Sequence, residues 1–222
     1  MPDARGLMDQ DIFFLINHSW ARPEWDYVMA TASSWDFWWP FVVAAGLLAL
    51  IFGGFRERAM LVALGISVGI TDGVVVDTIK GIVGRPRPHE AMVGVRTLDL
   101  ARAKPRFLAL GKPLRQEYSV WRTPPERGNS FPSGHASNNF AMATVLALFY
   151  RRWGWIAFIP ASFVAYSRIY VGSHWPLDVV VSCLIGAGIA YLVVQALGVG
   201  WRRWGGRWLP GVFSRHPALV TS

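Results

Sequence analysis

The sequence predicts an all-α, multi-pass transmembrane helical bundle of five to six spans with an interfacial helix at its N-terminus. Three observations lead there. Hydrophobic residues make up 53% of the chain and charged residues 16%, with a mean hydropathy of +0.30; soluble domains usually carry about 25% charged residues. The missing charge leaves long apolar stretches that alternate with short basic segments, a pattern suited to a bilayer rather than to a large aqueous core. Twelve tryptophans are present, a residue enriched where helices meet lipid headgroups. The formal net charge of +8 would also fit a nucleic-acid partner, but apolar runs of spanning length do not, so none is expected. The one cysteine, Cys183, lies in an apolar run and has no partner for an internal disulfide.

Residues 1–34 form an N-terminal segment. Met1 to Gln10 lacks the basic-then-apolar order of a secretory signal, so the first true span would serve for insertion. Ile12 to Tyr27 mixes Phe13, Phe14, Ile16 and Trp20 with Asn17, His18 and Arg22, which predicts an amphipathic interfacial helix. The transmembrane domain is expected over 35–200. Its first run, Phe37 to Gly53, is entered through Trp35, Trp38 and Trp39 and closed by Arg56 and Arg58. Ala59 to Ile79 is the second, at about 20 residues a full span. Asp72 and Asp77 within it would have to face the bundle interior. Its Gly65, Gly69 and Gly73 form a small-residue stripe that reads as helix packing.

An extramembrane insert rich in Arg, Lys and Pro follows over 84–131, with a weak helical pattern from Leu98 to Leu110. Its Arg96, Arg102, Lys104, Arg106 and Arg115 fit either headgroup selection or a solvated loop. Ala136 to Tyr150, Trp155 to Tyr170 and Trp175 to Val199 are the third, fourth and fifth spans. The tail, 201–222, is basic and aromatic, as expected at a headgroup surface.

Three short motifs stand at span boundaries. The first is Lys80, six residues, then Arg87-Pro88; the second is Pro132-Ser133-Gly134-His135; the third is Ser167-Arg168, five residues, His174, three residues, Asp178. The first ends the second span and the second opens the third. Two more crossings bring the third motif back to the same side. All three can therefore meet on one face of the membrane.

Lys80, Arg87 and Arg168 would converge on a group with several negative oxygens, since guanidinium matches phosphate geometry and ammonium acts as a compact charge. Singly, each would be an interfacial anchor. Ser133 looks like the N-cap of the following helix, whose free N–H groups and dipole favour an anion; Gly134 would let an oxygen approach without a side chain in the way. Without His135 the same residues would read as a capping turn. Pro176 places His174 just before the fifth span and Asp178 in its first turn. There Asp178 can accept the Nδ1–H of His174 and leave Nε2 free to attack, or it can serve only the helix dipole. His135 suits both protonation of a leaving oxygen and activation of water. Two spaced histidines also raise the possibility of a metal, but three cations would repel a divalent ion, so no metal and no cofactor are expected.

In these residues the sequence resembles the type 2 phosphatidic acid phosphatase superfamily, the lipid phosphate phosphatases, and matches its three motifs in order. The resemblance implies a helical bundle and metal-independent hydrolysis through a phosphohistidine. It makes His174 the nucleophile, His135 the acid and base, and Asp178 the residue that orients the nucleophile. Lys80, Arg87, Ser133, Gly134 and Arg168 become the phosphate-binding set. It also implies a multi-pass protein of the bacterial inner membrane with its site on the periplasmic or outer side. The expected partners are membrane lipids and a lipid phosphate or diphosphate, preferably undecaprenyl diphosphate. Phosphatidylglycerol phosphate or lipid A as substrate, transfer to another lipid, and a non-catalytic scaffold or transporter are the alternatives.

Overall fold

Helix α7 (Gly134–Phe149) is the hub of the structure, packed on five neighbouring elements. Its buried face is mostly of small residues, among them Ala136, Ser137, Ala141, Ala143 and Ala147, and ends in Phe149. Helix α9 (Pro176–Trp208) approaches it so closely at Gly186 that any β-carbon there would collide with the Ser137 carbonyl. In this computed structural model, residues 4–121 and 127–220 are described. The expected N-terminal segment, insert and tail therefore fall partly outside the described residues.

The chain runs through α1 (Ala4–Phe14), α2 (Pro23–Ser33), α3 (Trp35–Phe52) and α4 (Phe55–Ile70). A π-helical stretch, Thr71–Val76, carries α4 directly into α5 (Asp77–Val83). Then come the short α6 (Pro88–Ala91) and the strands β1 (Arg96–Asp99) and β2 (Arg115–Tyr118). Helices α7, α8 (Phe158–Tyr170), α9 (Pro176–Trp208) and α10 (Pro210–Phe213) complete the molecule. The fold is mostly helical. Among the described residues, three helices are long and apolar enough to cross a membrane: α3, the one beginning at Phe55, and α9. The third and fourth expected spans, α7 and α8, are shorter.

Four expectations change. The segment 12–27 is not one amphipathic helix: α1 ends through a π-helical turn, Leu15–Ser19, and α2 starts afresh at Pro23. Both helices pack into the core, where Phe13 is fully buried and its ring lies 5.3 Å from that of Trp175. The weak helical pattern over 98–110 gives a short 3₁₀ helix only at its end, and its start lies in a strand. The insert holds an antiparallel pair of strands with Arg96 opposite Tyr118, and a 3₁₀ turn at Arg106–Gly111. The stripe of Gly65, Gly69 and Gly73 faces outward, with open space where side chains would sit; the inward face of α4 presents Met60, Ala63 and Ser67 instead. Asp77 likewise points away from the bundle interior, whereas Asp72 reaches the cavity described below.

Arg96 fits neither headgroup selection nor a solvated loop, the two readings of the insert's basic residues. It is buried, and one of its guanidinium nitrogens lies 2.8 and 2.9 Å from the two carboxylate oxygens of Asp26 on α2. The same carboxylate accepts the Tyr170 hydroxyl at 2.6 Å, while Asn17 donates to the carbonyls of Arg96 and Tyr170. This buried polar knot ties the N-terminal helices and the hairpin to the end of α8, and so fixes the turn that leads to His174.

Candidate active site

The ends of α5, α7 and α8, with the turn before α9, close around a cavity of about 380 Å³. Lys80, Arg87, Gly134, His135, Arg168 and His174 all line it, so residues nearly a hundred positions apart in sequence reach one chamber. Each placement has a local cause. Lys80 is on the last turn of α5, which Gly84 ends in the left-handed conformation. Arg87 follows in extended backbone just before Pro88 opens α6. The Ser173 and His174 amides both donate to the Arg168 carbonyl, and Gly172 adopts φ 77° so that this turn can fold against the Arg96 carbonyl.

Ser133 stands at the N-cap of α7 in extended backbone, but its hydroxyl makes no capping bond. Its amide donates to Ser182 Oγ at 2.7 Å, and its own Oγ is buried without a partner among the described residues. It does not line the cavity itself. Arg168 leans on Ser33 at the end of α2 through Nη1, and leaves its buried Nε unsatisfied by any described residue. Asn138 Oδ1, on the next turn of α7 after His135, is a third such buried polar atom. Unmet donors and acceptors are costly in a dry interior, and Arg168 and Asn138 both belong to the lining of the cavity, where a ligand could meet them.

His174 is 3% exposed, and its Nδ1 lies 2.6 Å from the Ser130 carbonyl oxygen. A carbonyl cannot donate, so Nδ1 carries the proton and Nε2 keeps the lone pair. Burial, and then the Arg168 and Arg87 guanidiniums, push this imidazole well below the usual histidine range; the bond to Ser130 opposes them. The ring is therefore neutral near physiological pH.

The direct pairing expected between Asp178 and His174 is absent. Asp178 is fully buried in the first turn of α9, and its oxygens accept Arg85 Nη1 at 2.5 Å and Ser130 Oγ at 2.5 Å. Ser130 thus stands between them, its hydroxyl on the carboxylate and its carbonyl on the imidazole. Backbone pairing explains its position: the Gly128 and Ser130 amides donate to the Gly84 and Arg85 carbonyls. Ser130, Arg85 and Asn138 were not singled out from the sequence. All three lie inside or beside the motifs, which is the one signal that would have pointed to them.

A second cavity, of about 620 Å³, opens beside the first and shares His135, Asn139, Met142 and Trp35 with it. Its walls are almost wholly apolar, built from Val28, Ala32, Trp38, Val42, Leu110, Phe163 and Val164 among others.

The family model of the PAP2 superfamily matches residues 56–202, well over half of the chain. The chain belongs to the PAP2 superfamily. Among its relatives, an undecaprenyl-diphosphatase of Sulfolobus acidocaldarius is 47% identical over 72 residues, which is 32% of this chain and 35% of that protein. A lipid A 4'-phosphatase of Bacteroides thetaiotaomicron is 29% identical over 182 residues, 79% of this chain and 69% of the relative. The crystal structure of LpxE from Aquifex aeolicus superposes with a TM-score of 0.60 at 24% identity, over 85% of this chain and 95% of that one. That likeness shows a shared PAP2 fold. The matched region also explains why α4 to α9 carry every motif, while α1 to α3 lie outside it.

Proposed function

We propose that this chain is an integral-membrane lipid phosphatase that hydrolyses a lipid phosphate or diphosphate through a phosphohistidine at His174. The observation that carries the reading is the junction of two cavities at His135. On one side stand three cations and a neutral imidazole; on the other lies an apolar groove. A phosphate ester fits across that junction with its phosphoryl group in the cationic chamber and its apolar tail in the groove. The relatives named as undecaprenyl-diphosphatases and lipid A phosphatases support a lipid substrate, and undecaprenyl diphosphate is the preferred one.

Lys80, Arg87 and Arg168 hold the phosphoryl oxygens and neutralise the charge that grows on them. Gly134 adds its N–H at the start of α7, while the Ser133 amide is held by Ser182 Oγ and fixes the entry to that helix. His174 Nε2 attacks phosphorus while the bond to the lipid oxygen breaks, and His135 gives its proton to that oxygen. His135 then removes a proton from water as the water oxygen attacks the phosphohistidine, which returns His174 to its neutral state. Asp178 acts on the nucleophile through Ser130.

The bundle crosses the bilayer five times, through α3, α4–α5, α7, α8 and α9, and the cavity opens on the outer side of a bacterial plasma membrane. Supporting this is the run of alternate ends: the last turn of α5, the first of α7, the last of α8 and the residues before α9 line one chamber. Helices α1 and α2 lie along that same face in the interface.

The test is phosphate release by detergent-purified protein from a panel of lipid phosphates and diphosphates, with chelator present. Release that persists with chelator and disappears in His174→Ala is the expected result. Activity abolished by chelator, or unchanged in His174→Ala, overturns the mechanism.

A further inference from the structure

We infer that Asp9, on the N-terminal helix α1 and outside the matched family region, is a positioning residue for the His174 nucleophile. This deepens the phosphatase reading and rests on it. Asp9 is 6% exposed and makes two charge-assisted contacts across the molecule. Its Oδ2 accepts Arg85 Nη2 at 2.6 Å, and its Oδ1 accepts the Leu177 amide at 2.9 Å, one of the free N–H groups at the start of α9. The other arm of the same guanidinium holds Asp178. From Asp178 the path continues through Ser130 Oγ to the Ser130 carbonyl and His174 Nδ1.

One fork thus spans two buried carboxylates, and its orientation depends on both. Arg85 is 30% exposed, so without Asp9 only Asp178 and the Trp175 ring, 5.2 Å from the guanidinium, restrain it among the described residues. Arg85 then has a route toward solvent, which leaves Asp178 to recruit another donor and Ser130 to shift. The contact with Leu177 matters in the same direction, because α9 begins two residues after His174. Helix α1 is therefore a strut under the nucleophile, and none of its described residues lines the phosphate chamber.

The test compares Asp9→Asn, Asp9→Ala and Asp9→Glu with the parent protein in lipid phosphate hydrolysis, with inorganic phosphate as a competitive inhibitor. Asn can keep the acceptor for Leu177 and removes only the ionic link, so it remains informative if the Ala variant fails to fold. The expected outcome is a kcat about 10-fold lower in Asp9→Asn and up to about 100-fold lower in Asp9→Ala, as for a misplaced reacting group. KM and the phosphate inhibition constant stay within about 2-fold, and Asp9→Glu recovers part of kcat. A parental kcat in Asp9→Asn, or a phosphate inhibition constant that weakens in step with kcat, overturns the assignment. Failure of the underlying reading is separable: there the parent protein itself releases no phosphate, or His174→Ala is fully active.

Discussion

At the residue scale, the site turns on how His174 is held neutral. Its ring is depressed well below the ordinary histidine value by burial first and by Arg168 and Arg87 next. In the unfolded chain the same ring takes up a proton as the pH falls through about 6.5. Between that value and the lower folded one, the unfolded state binds more protons, so stability declines as the pH drops through this window. Melting of the ligand-free protein in detergent, followed from about pH 7.5 to about pH 5, is expected to fall more steeply for the parent than for His174→Ala; parallel slopes would contradict a depressed His174. Ser130→Ala makes a sharper local test, because it deletes the hydroxyl on Asp178 and retains the carbonyl on His174. The buried carboxylate loses a donor contact worth about 1–3 kcal/mol, and kcat is expected to fall with KM nearly unchanged. The sequence revealed which residues would meet, since Lys80, Arg87, His135, Arg168 and His174 occupy spacings that carry chemistry. It did not reveal how they are wired. Asp178 lies four positions from His174 and invites a direct pairing, but the intervening partner, Ser130, comes from a segment 44 residues away. Only the tertiary pairing of residues 128–130 with 84–85 brings it there.

At the scale of elements, the apolar runs were legible because a bilayer demands length and uniform hydrophobicity, which short windows display. Helices α3, α4, α7, α8 and α9 all start or end within a few residues of those runs, apart from α9, which continues helical to Trp208 through its basic segment. The strands were hidden by their length. Four residues, Arg96–Asp99, give no usable period, and Arg96 reads as a surface charge until Asp26 and Tyr170 are seen around it. The N-terminal helices were obscured in the same way: Asn17 and Asp26 make the segment look half-wet, although both are buried with satisfied partners. Arg96→Ala leaves the Asp26 carboxylate uncompensated in the interior, at a cost of about 3–5 kcal/mol. A clear fall in melting temperature of the detergent-solubilised protein is expected. A melting temperature equal to the parent's would show that the knot does not hold the hairpin to α8. Gly186 supplies the corresponding test for the hub, since Gly186→Leu forces α9 off α7 and is expected to abolish the folded monomeric peak in size-exclusion chromatography.

For the molecule as a whole, the informative feature is that the phosphate chamber and the apolar groove meet at one histidine. The groove draws its walls from α2, α3, α7, α8 and Leu110 of the insert, so it belongs to no single motif and could not be read from local pattern. Only the alternation of span directions was legible, and that alternation is what gathers the three motifs at one end. On the proposed reading the groove holds the part of the substrate that does not react; its contacts are then the same in the ground and transition states, and their loss should appear in KM rather than in kcat. Val164→Trp places an indole in the groove from the α8 side, at a residue that does not line the phosphate chamber. For a long-chain lipid phosphate, KM is expected to rise about 10-fold, the loss of roughly 1.4 kcal/mol of apolar contact. For a short, water-soluble phosphate monoester, which needs only the chamber, both constants should stay within about 2-fold of the parent. Equal losses on the two substrates would mean that the introduced indole disturbs the chamber itself. No change on either would mean that the tail leaves by another route, and that the groove is not where the lipid lies.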